Sequence, residues 1–159
     1  MTDIIHQLKK TGKHFLFDVQ LNWLSQHRGL VSAPYAPGVI AVATPVEFGG
    51  EGKDWNAEQL FLASISSCYM STYLSFANKF GFTISRFECN CIGRVELVDG
   101  RYRFTGIDLY PQVYISGEPV REKAELAIHK TQKYCLIANS IDTPITYHTE
   151  VLLDQHPKV

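Results

Sequence analysis

The chain has 159 residues, a formal charge of −1, 45% hydrophobic and 19% charged residues. This is the length of one domain that buries about 68–70% of its unfolded surface, so residues 1–159 read as a single domain and general disorder is excluded. The near-zero charge argues against a nucleic-acid partner, and no uninterrupted apolar run reaches the roughly 18–20 residues that cross a bilayer.

The first residues, MTDIIHQLKKTGKHF, lack the basic, apolar and small-residue order of a secretory leader, which leads us to expect a cytoplasmic protein with no membrane partner. From His14 to Asn22 (HFLFDVQLN) apolar and polar residues alternate, the pattern of a strand. Arg28-Gly29 reads as a turn, and Val39 to Val42 as a second short strand. Thr44 to Trp55 (TPVEFGGEGKDW) reads as a loop. Its GEGK is not a phosphate loop, because Glu47 stands where the first glycine belongs and Asp54 where Ser or Thr would follow Lys53.

Asn56 to Phe80 predicts the longest helix, with Asn56 as N-cap, Glu58 in the first turn and Gly81 just past the end. Apolar and small residues run all round it, so it is expected to be covered on most sides, in part by a second subunit. Ile84 to Val98 and Tyr102 to Ile115 predict a hairpin around Asp99-Gly100. A second helix is expected from Ser116-Gly117-Glu118-Pro119 to about Ala138, with Val120, Ala124, Ile128, Thr131 and Cys135 on its inner stripe. A last strand, ITYHTEVLL, follows Pro144.

Four cysteines are candidates for chemistry: Cys68, Cys89, Cys91 and Cys135. Cys68 lies mid-helix among small hydroxylated residues; alone it reads either as a core cysteine or as an activated nucleophile. Cys135 is equally open, and the two meet if their helices pack. Cys89 and Cys91 share one face of a strand and form a poor zinc site without a second pair, so they read as structural. The six histidines show no ligand spacing, and His27 beside Arg28 reads as a turn residue. No metal or bound cofactor is expected. Glu58 alone reads as a helix-terminal charge, and Arg28 as a surface residue.

Asn56-Ala57-Glu58-Gln59-Leu60-Phe61 running into Cys68 resembles the OsmC/Ohr family of hydroperoxide reductases, in which N-P-E-[QE]-L-[FL] opens the central helix and the reactive cysteine follows the Glu by ten residues. Pro45 to Gly50 resembles the family's P-x-x-x-G-G loop, Tyr134 to Ser140 the region of its second cysteine, and Arg28 stands where its arginine falls. Ala57 replaces the family's Pro before Glu, and Leu136 the Pro that often follows the second cysteine.

The resemblance implies an α+β fold in which curved antiparallel sheets surround two central helices of an intertwined homodimer. It implies a thiol-dependent peroxidase that reduces organic hydroperoxides. Cys68 would form a sulfenic acid, Cys135 a disulfide with it, and an external dithiol, in this family often a lipoylated protein, would restore both. Arg28 would steady the thiolate and the peroxide, and Glu58 would hold Arg28. Ten helical residues rise about 15 Å, so the Arg28–Glu58 pair is expected to serve Cys68 of a partner chain. Phe48, Phe61, Tyr69 and Tyr134 are the apolar candidates for contact with an organic group. The competing reading is a non-enzymatic redox sensor or hydrophobic-ligand binder of the same fold.

Overall fold

The computed structural model describes residues 15–155. The expected start of the first strand at His14 lies outside them. The chain forms two compact units, Met1–Gln59 and Leu60–Val159.

In the first unit β1 (Gln20–Ser25), β2 (Arg28–Ser32) and β3 (Ile40–Ala43) form an antiparallel sheet in that order. β1 starts at Gln20, later than its alternating pattern suggests, because its partner strand ends at Ser32, which pairs with Gln20. Alternation alone does not make a strand without a ladder to join. Arg28 is the first residue of β2 and not a turn residue, since Gln26 takes the positive φ of 47° and His27 completes the reversal. The loop after β3 is held tight at Gly50, where a Cβ would lie 1.7 Å from the Thr44 carbonyl oxygen. It returns to the sheet at Trp55, whose carbonyl accepts the Ala43 N–H at 2.8 Å and whose N–H reaches the Ala41 carbonyl at 3.2 Å.

α1 (Ala57–Lys79) opens with reciprocal capping. The Asn56 side chain accepts the Gln59 N–H at 2.7 Å, and the Gln59 side chain accepts the Asn56 N–H at 3.2 Å. The helix closes through Gly81 at φ 70°, with Gly81 N–H on the Asn78 carbonyl and Phe82 N–H on the Ala77 carbonyl, both 3.1 Å. That is the paired C-terminal bonding that a left-handed glycine permits. By length and composition α1 is apolar enough to cross a membrane, an 18-residue window within it having a mean hydropathy of 1.2. The sequence scan passes over it because serines interrupt every apolar run. Its fully buried residues Ile65, Tyr69 and Tyr73, four apart, form the stripe of a core helix.

In the second unit β4 (Arg86–Val98) and β5 (Arg101–Ile115) are a long antiparallel hairpin. Asp99 and Gly100 turn it at φ 49° and 74°, the double positive φ of a two-residue turn. The last strand is two strands, β6 (Ile145–Tyr147) and β7 (Glu150–Leu153), both parallel to β5. The break falls opposite Pro111, which lies between the β5 residues paired with Tyr147 and Glu150 and has no N–H for a ladder. α2 (Arg121–Tyr134) stops short of the expected Ala138. Cys135 has φ −63° and ψ 113°, so it sits beyond the helix in extended backbone.

Two buried clusters join helices to sheet. Tyr73, Ala77, Val113, Ile115, Ala124, Ala127 and Ile128 pack together, with the Tyr73 hydroxyl donating to the Ala124 carbonyl at 3.3 Å. Ile65, Tyr69, Ile107, Leu109 and Cys135 form the other. The fold is α+β with antiparallel sheets and two helices, the last short strands joining in parallel. Asn56→Ala is expected to lower stability by about 1 kcal/mol through loss of the cap, read as a shift of the urea midpoint with unchanged slope.

Candidate active site

The second cluster gathers all four cysteines: Cys135 is fully buried in it, and Cys68, Cys89 and Cys91 pack against it half-buried. None is in a disulfide. α1 brings Cys68 in from one side, three residues beyond Ile65 and one before Tyr69, so the packing of that stripe fixes its depth. Cys135 comes from the end of α2, where its N–H still bonds the Thr131 carbonyl at 2.9 Å.

Cys68 packs against the buried cluster that holds Cys135. Burial works to raise Cys68, but the nearby main chain of Ile137 and Leu136, the Cys135 thiol and the Thr72 hydroxyl oppose it and bring it below the usual thiol range. Cys135 moves the other way. Burial pushes it up to about 11, the negative Cys68 beside it adds to the rise, and the nearby main chain of Ala138 and Ile137 opposes it. The pair is therefore asymmetric: one sulfur is drawn toward the charge and the other is held neutral. Burial pushes Cys89 and Cys91 up to about 11 as well.

Phe61, Leu62, Phe104 and Ile137 pack into the same cluster, with Phe61 and Phe104 ring centroids 4.9 Å apart. Gly93 makes room for them, since a Cβ there would meet the Phe104 ring at 2.5 Å and Leu62 at 2.9 Å. Of the apolar candidates from the sequence, Phe61 and Tyr69 belong to this cluster, whereas Tyr134 is half exposed and packs on Phe76. Phe48 lies in the first unit. The buried Tyr69 hydroxyl, turned toward Thr149 and Gln132, makes no hydrogen bond of good geometry.

Arg28 and Glu58 belong to the first unit. Arg28 does not pair with Glu58 as expected: its Nε donates to Asp54 Oδ2 at 2.7 Å, beside a cleft of about 150 Å³ that His27, Gly49 and Gly50 also line. The reason is register. Arg28 pairs with Ala43, and Ala43 bonds Trp55, so Asp54 is delivered to the same end of the sheet. Oε2 of Glu58 is buried and has no hydrogen-bond partner among the described residues. Sequence reasoning missed Asp54, Thr72 and the main chain of Leu136 and Ile137. Thr72 was within reach of it, four residues from Cys68 on one helix face. The main-chain groups have no side-chain signature. No group of three or more metal-ligating side chains occurs among the described residues.

A model of the OsmC-like protein family matches residues 50–150. The chain belongs to the OsmC-like family. It is 19% identical over 137 residues to the uncharacterized protein YmaD of Bacillus subtilis, across 84% of this chain and 91% of that protein. Among solved structures, an OsmC-like protein of unknown function from Vibrio cholerae superposes with a TM-score of 0.75 at 22% identity, covering 87% of this chain and all (100%) of that one. An organic hydroperoxide resistance protein from Legionella pneumophila gives 0.67 at 21% identity, covering 87% of this chain and 97% of that one. At these identities the likeness is one of fold.

The cysteine asymmetry has a direct readout. On brief exposure to iodoacetamide at pH 7, alkylation is expected at Cys68 first, because thiols near 11 hold almost no thiolate there. Peptide mass spectrometry that finds Cys89 or Cys91 modified as fast would contradict it.

Proposed function

We propose that this OsmC-like chain is a thiol-dependent peroxidase for organic hydroperoxides. The observation that carries the proposal is that one buried cluster holds two thiols of opposite bias, Cys68 drawn toward thiolate and Cys135 held as thiol. Cys68 S⁻ attacks the outer oxygen of R–O–O–H. The O–O bond breaks, the alkoxide takes a proton and leaves as ROH, and Cys68 becomes a sulfenic acid. Cys135 loses its proton and attacks the Cys68 sulfur; an S–S bond forms and the hydroxyl leaves as water. An external dithiol, such as that of a lipoylated protein, then exchanges with the disulfide, is itself oxidised, and returns both thiols. Phe61, Leu62 and Phe104 favour an apolar R group. No resident metal or cofactor enters the cycle, and a reducing cytoplasm suits it.

Arg28 and Glu58 keep in this proposal the roles that the resemblance gives them, a donor to thiolate and peroxide and the carboxylate that holds it. Arg28 must then exchange Asp54 for Glu58. A guanidinium half exposed on a sheet end is free to do so.

The proposal includes a homodimer. In the first unit Phe15, Phe17, Val19, Leu21 and Trp23, at alternate positions, are all exposed, Phe17 by 89% and Trp23 by 73%. In the second, Met70 and Leu74 of α1 are exposed on a face otherwise lined by Ser67, Ser71 and Ser75. Apolar rows of this length on a soluble chain mark an interface. Sedimentation is expected to give twice the 18.0 kDa chain mass, falling toward one chain mass in a Phe17→Glu/Trp23→Glu variant.

The deciding experiment is dithiothreitol-dependent turnover of cumene hydroperoxide. Wild type is expected to turn over, Cys68→Ser to lose activity entirely, and Cys135→Ser to be inactivated as substrate over-oxidises Cys68. Wild type that leaves both thiols titrating free after peroxide sinks the reading in favour of ligand binding. Wild type that forms the disulfide once and does not cycle with dithiol is a sensor.

A further inference from the structure

Buried polar atoms in a native fold almost always have partners. Among the described residues of the second unit, two side-chain oxygens do not. The Tyr69 hydroxyl and Thr149 Oγ1 are both buried, and neither has a hydrogen-bond partner. Tyr69 is fully buried, in the cluster that holds Cys135. The reaction proposed above uses neither hydroxyl.

The fold turns both of them inward. Tyr69 lies on the buried stripe of α1 between Ile65 and Tyr73, and its ring packs on that of Tyr147 with centroids 5.7 Å apart. Thr149 comes two residues after Tyr147, in the break between β6 and β7. His148, between them, is held three ways. Its N–H donates to the Leu109 carbonyl at 2.8 Å, its Nε2 meets Asp108 Oδ1 at 2.9 Å, and its ring stacks on Tyr110 with centroids 4.5 Å apart. Burial alternates accordingly: Tyr147 and Thr149 are partly buried, His148 and Glu150 exposed. Successive side chains of an extended chain take opposite faces, so anchoring His148 on the outer face sends Thr149 to the face where Tyr147 meets Tyr69.

Two hydroxyls that share an apolar cluster and do not bond each other require a third group between them. Polar groups held just beyond direct reach are what a bridging water joins. The chemistry of the pair suits water and not an ion, because each hydroxyl offers one proton and two lone pairs and carries no charge. Burial pushes Tyr69 up to about 12, so it keeps the proton it has to donate. The Gln132 side chain of α2 also lies near the Tyr69 hydroxyl. That makes three polar side chains, and a buried water makes about three hydrogen bonds.

We propose that the Tyr69 hydroxyl and Thr149 Oγ1 are the two sides of a site for one buried water, which ties α1 to the β6–β7 break inside the cluster that holds Cys135. The tie falls where Pro111 of β5 offers the ladder no N–H, between the residues paired with Tyr147 and Glu150. The inference stands apart from the peroxidase reading, since it needs no reaction at either cysteine.

The first test is a crystal structure of the full chain at a resolution that shows ordered water. One water within hydrogen-bonding distance of both oxygens is expected. The two hydroxyls bonded directly to each other, or a side chain of a second copy bonded to either, overturns the proposal. Urea unfolding of Tyr69→Phe, Thr149→Val and the double variant asks the same question in solution, and the sign answers it. With a shared water each single substitution lowers the midpoint at unchanged slope. The double variant lowers it by less than the two shifts added, because the second change finds the bridge already broken. Hydroxyls buried with no partner at all give the reverse: each substitution removes a desolvated group that bonds nothing, and the midpoint stays or rises. That result, or single shifts that add in full, overturns the proposal. Should a variant fail to fold, the wild-type crystal structure decides alone.

Discussion

The buried cluster around Cys135, against which Cys68 packs, is the constraint on which the candidate site of the second unit depends. A half-buried thiol at the middle of a helix has no electrostatic reason to ionise, and desolvation works against it. It is lowered here because a second thiol, a hydroxyl and nearby main chain oppose that cost. Those groups come from α1 itself and from the chain after α2. Neither element supplies the environment alone.

The packing explains how the convergence is held. Ile65 and Tyr69 on α1 and Ile107 and Leu109 on β5 are fully buried around Cys135. This brackets Cys68 between two rigid layers and limits its freedom to turn away. Gly93 lets Phe104 and Leu62 close the same layer, and the second cluster around Tyr73 ties α1 to α2 farther along. A glycine and a stripe of spaced aromatics thereby bring two cysteines that are far apart in sequence into one cluster. The same burial that builds the core raises Cys135, Cys89, Cys91, Tyr69 and Tyr147 in the cluster. The bias of one sulfur over the other is thus a property of which groups lie near each, with the apolar surroundings common to both.

Much of the fold was legible because it depends on local chemistry. Asn56 caps α1, Gly81 ends it and Asp99-Gly100 turns the hairpin, each for a reason carried by the residue itself. The differences arise where a partner decides. β1 begins at Gln20 because β2 ends at Ser32; the last strand breaks because Pro111 faces it; α2 stops before Cys135, where the backbone turns extended and the side chain enters the buried cluster. Arg28 takes Asp54, and not Glu58, because the register of β2, β3 and Trp55 brings Asp54 to it.

The sequence by itself determined the family, the order of helices and strands, and which cysteines to watch, since motif spacing and capping residues act over a few positions. Only the tertiary structure decided that Cys68 and Cys135 share one buried cluster, which of them bears the charge, and which main-chain groups lie near it. Main-chain groups are the same at every non-proline position, so nothing in the residue letters marks the few that a fold brings near a sulfur. What surrounds a sulfur follows from how α1, β5 and the chain after α2 pack into one cluster, and that packing joins residues far apart in sequence.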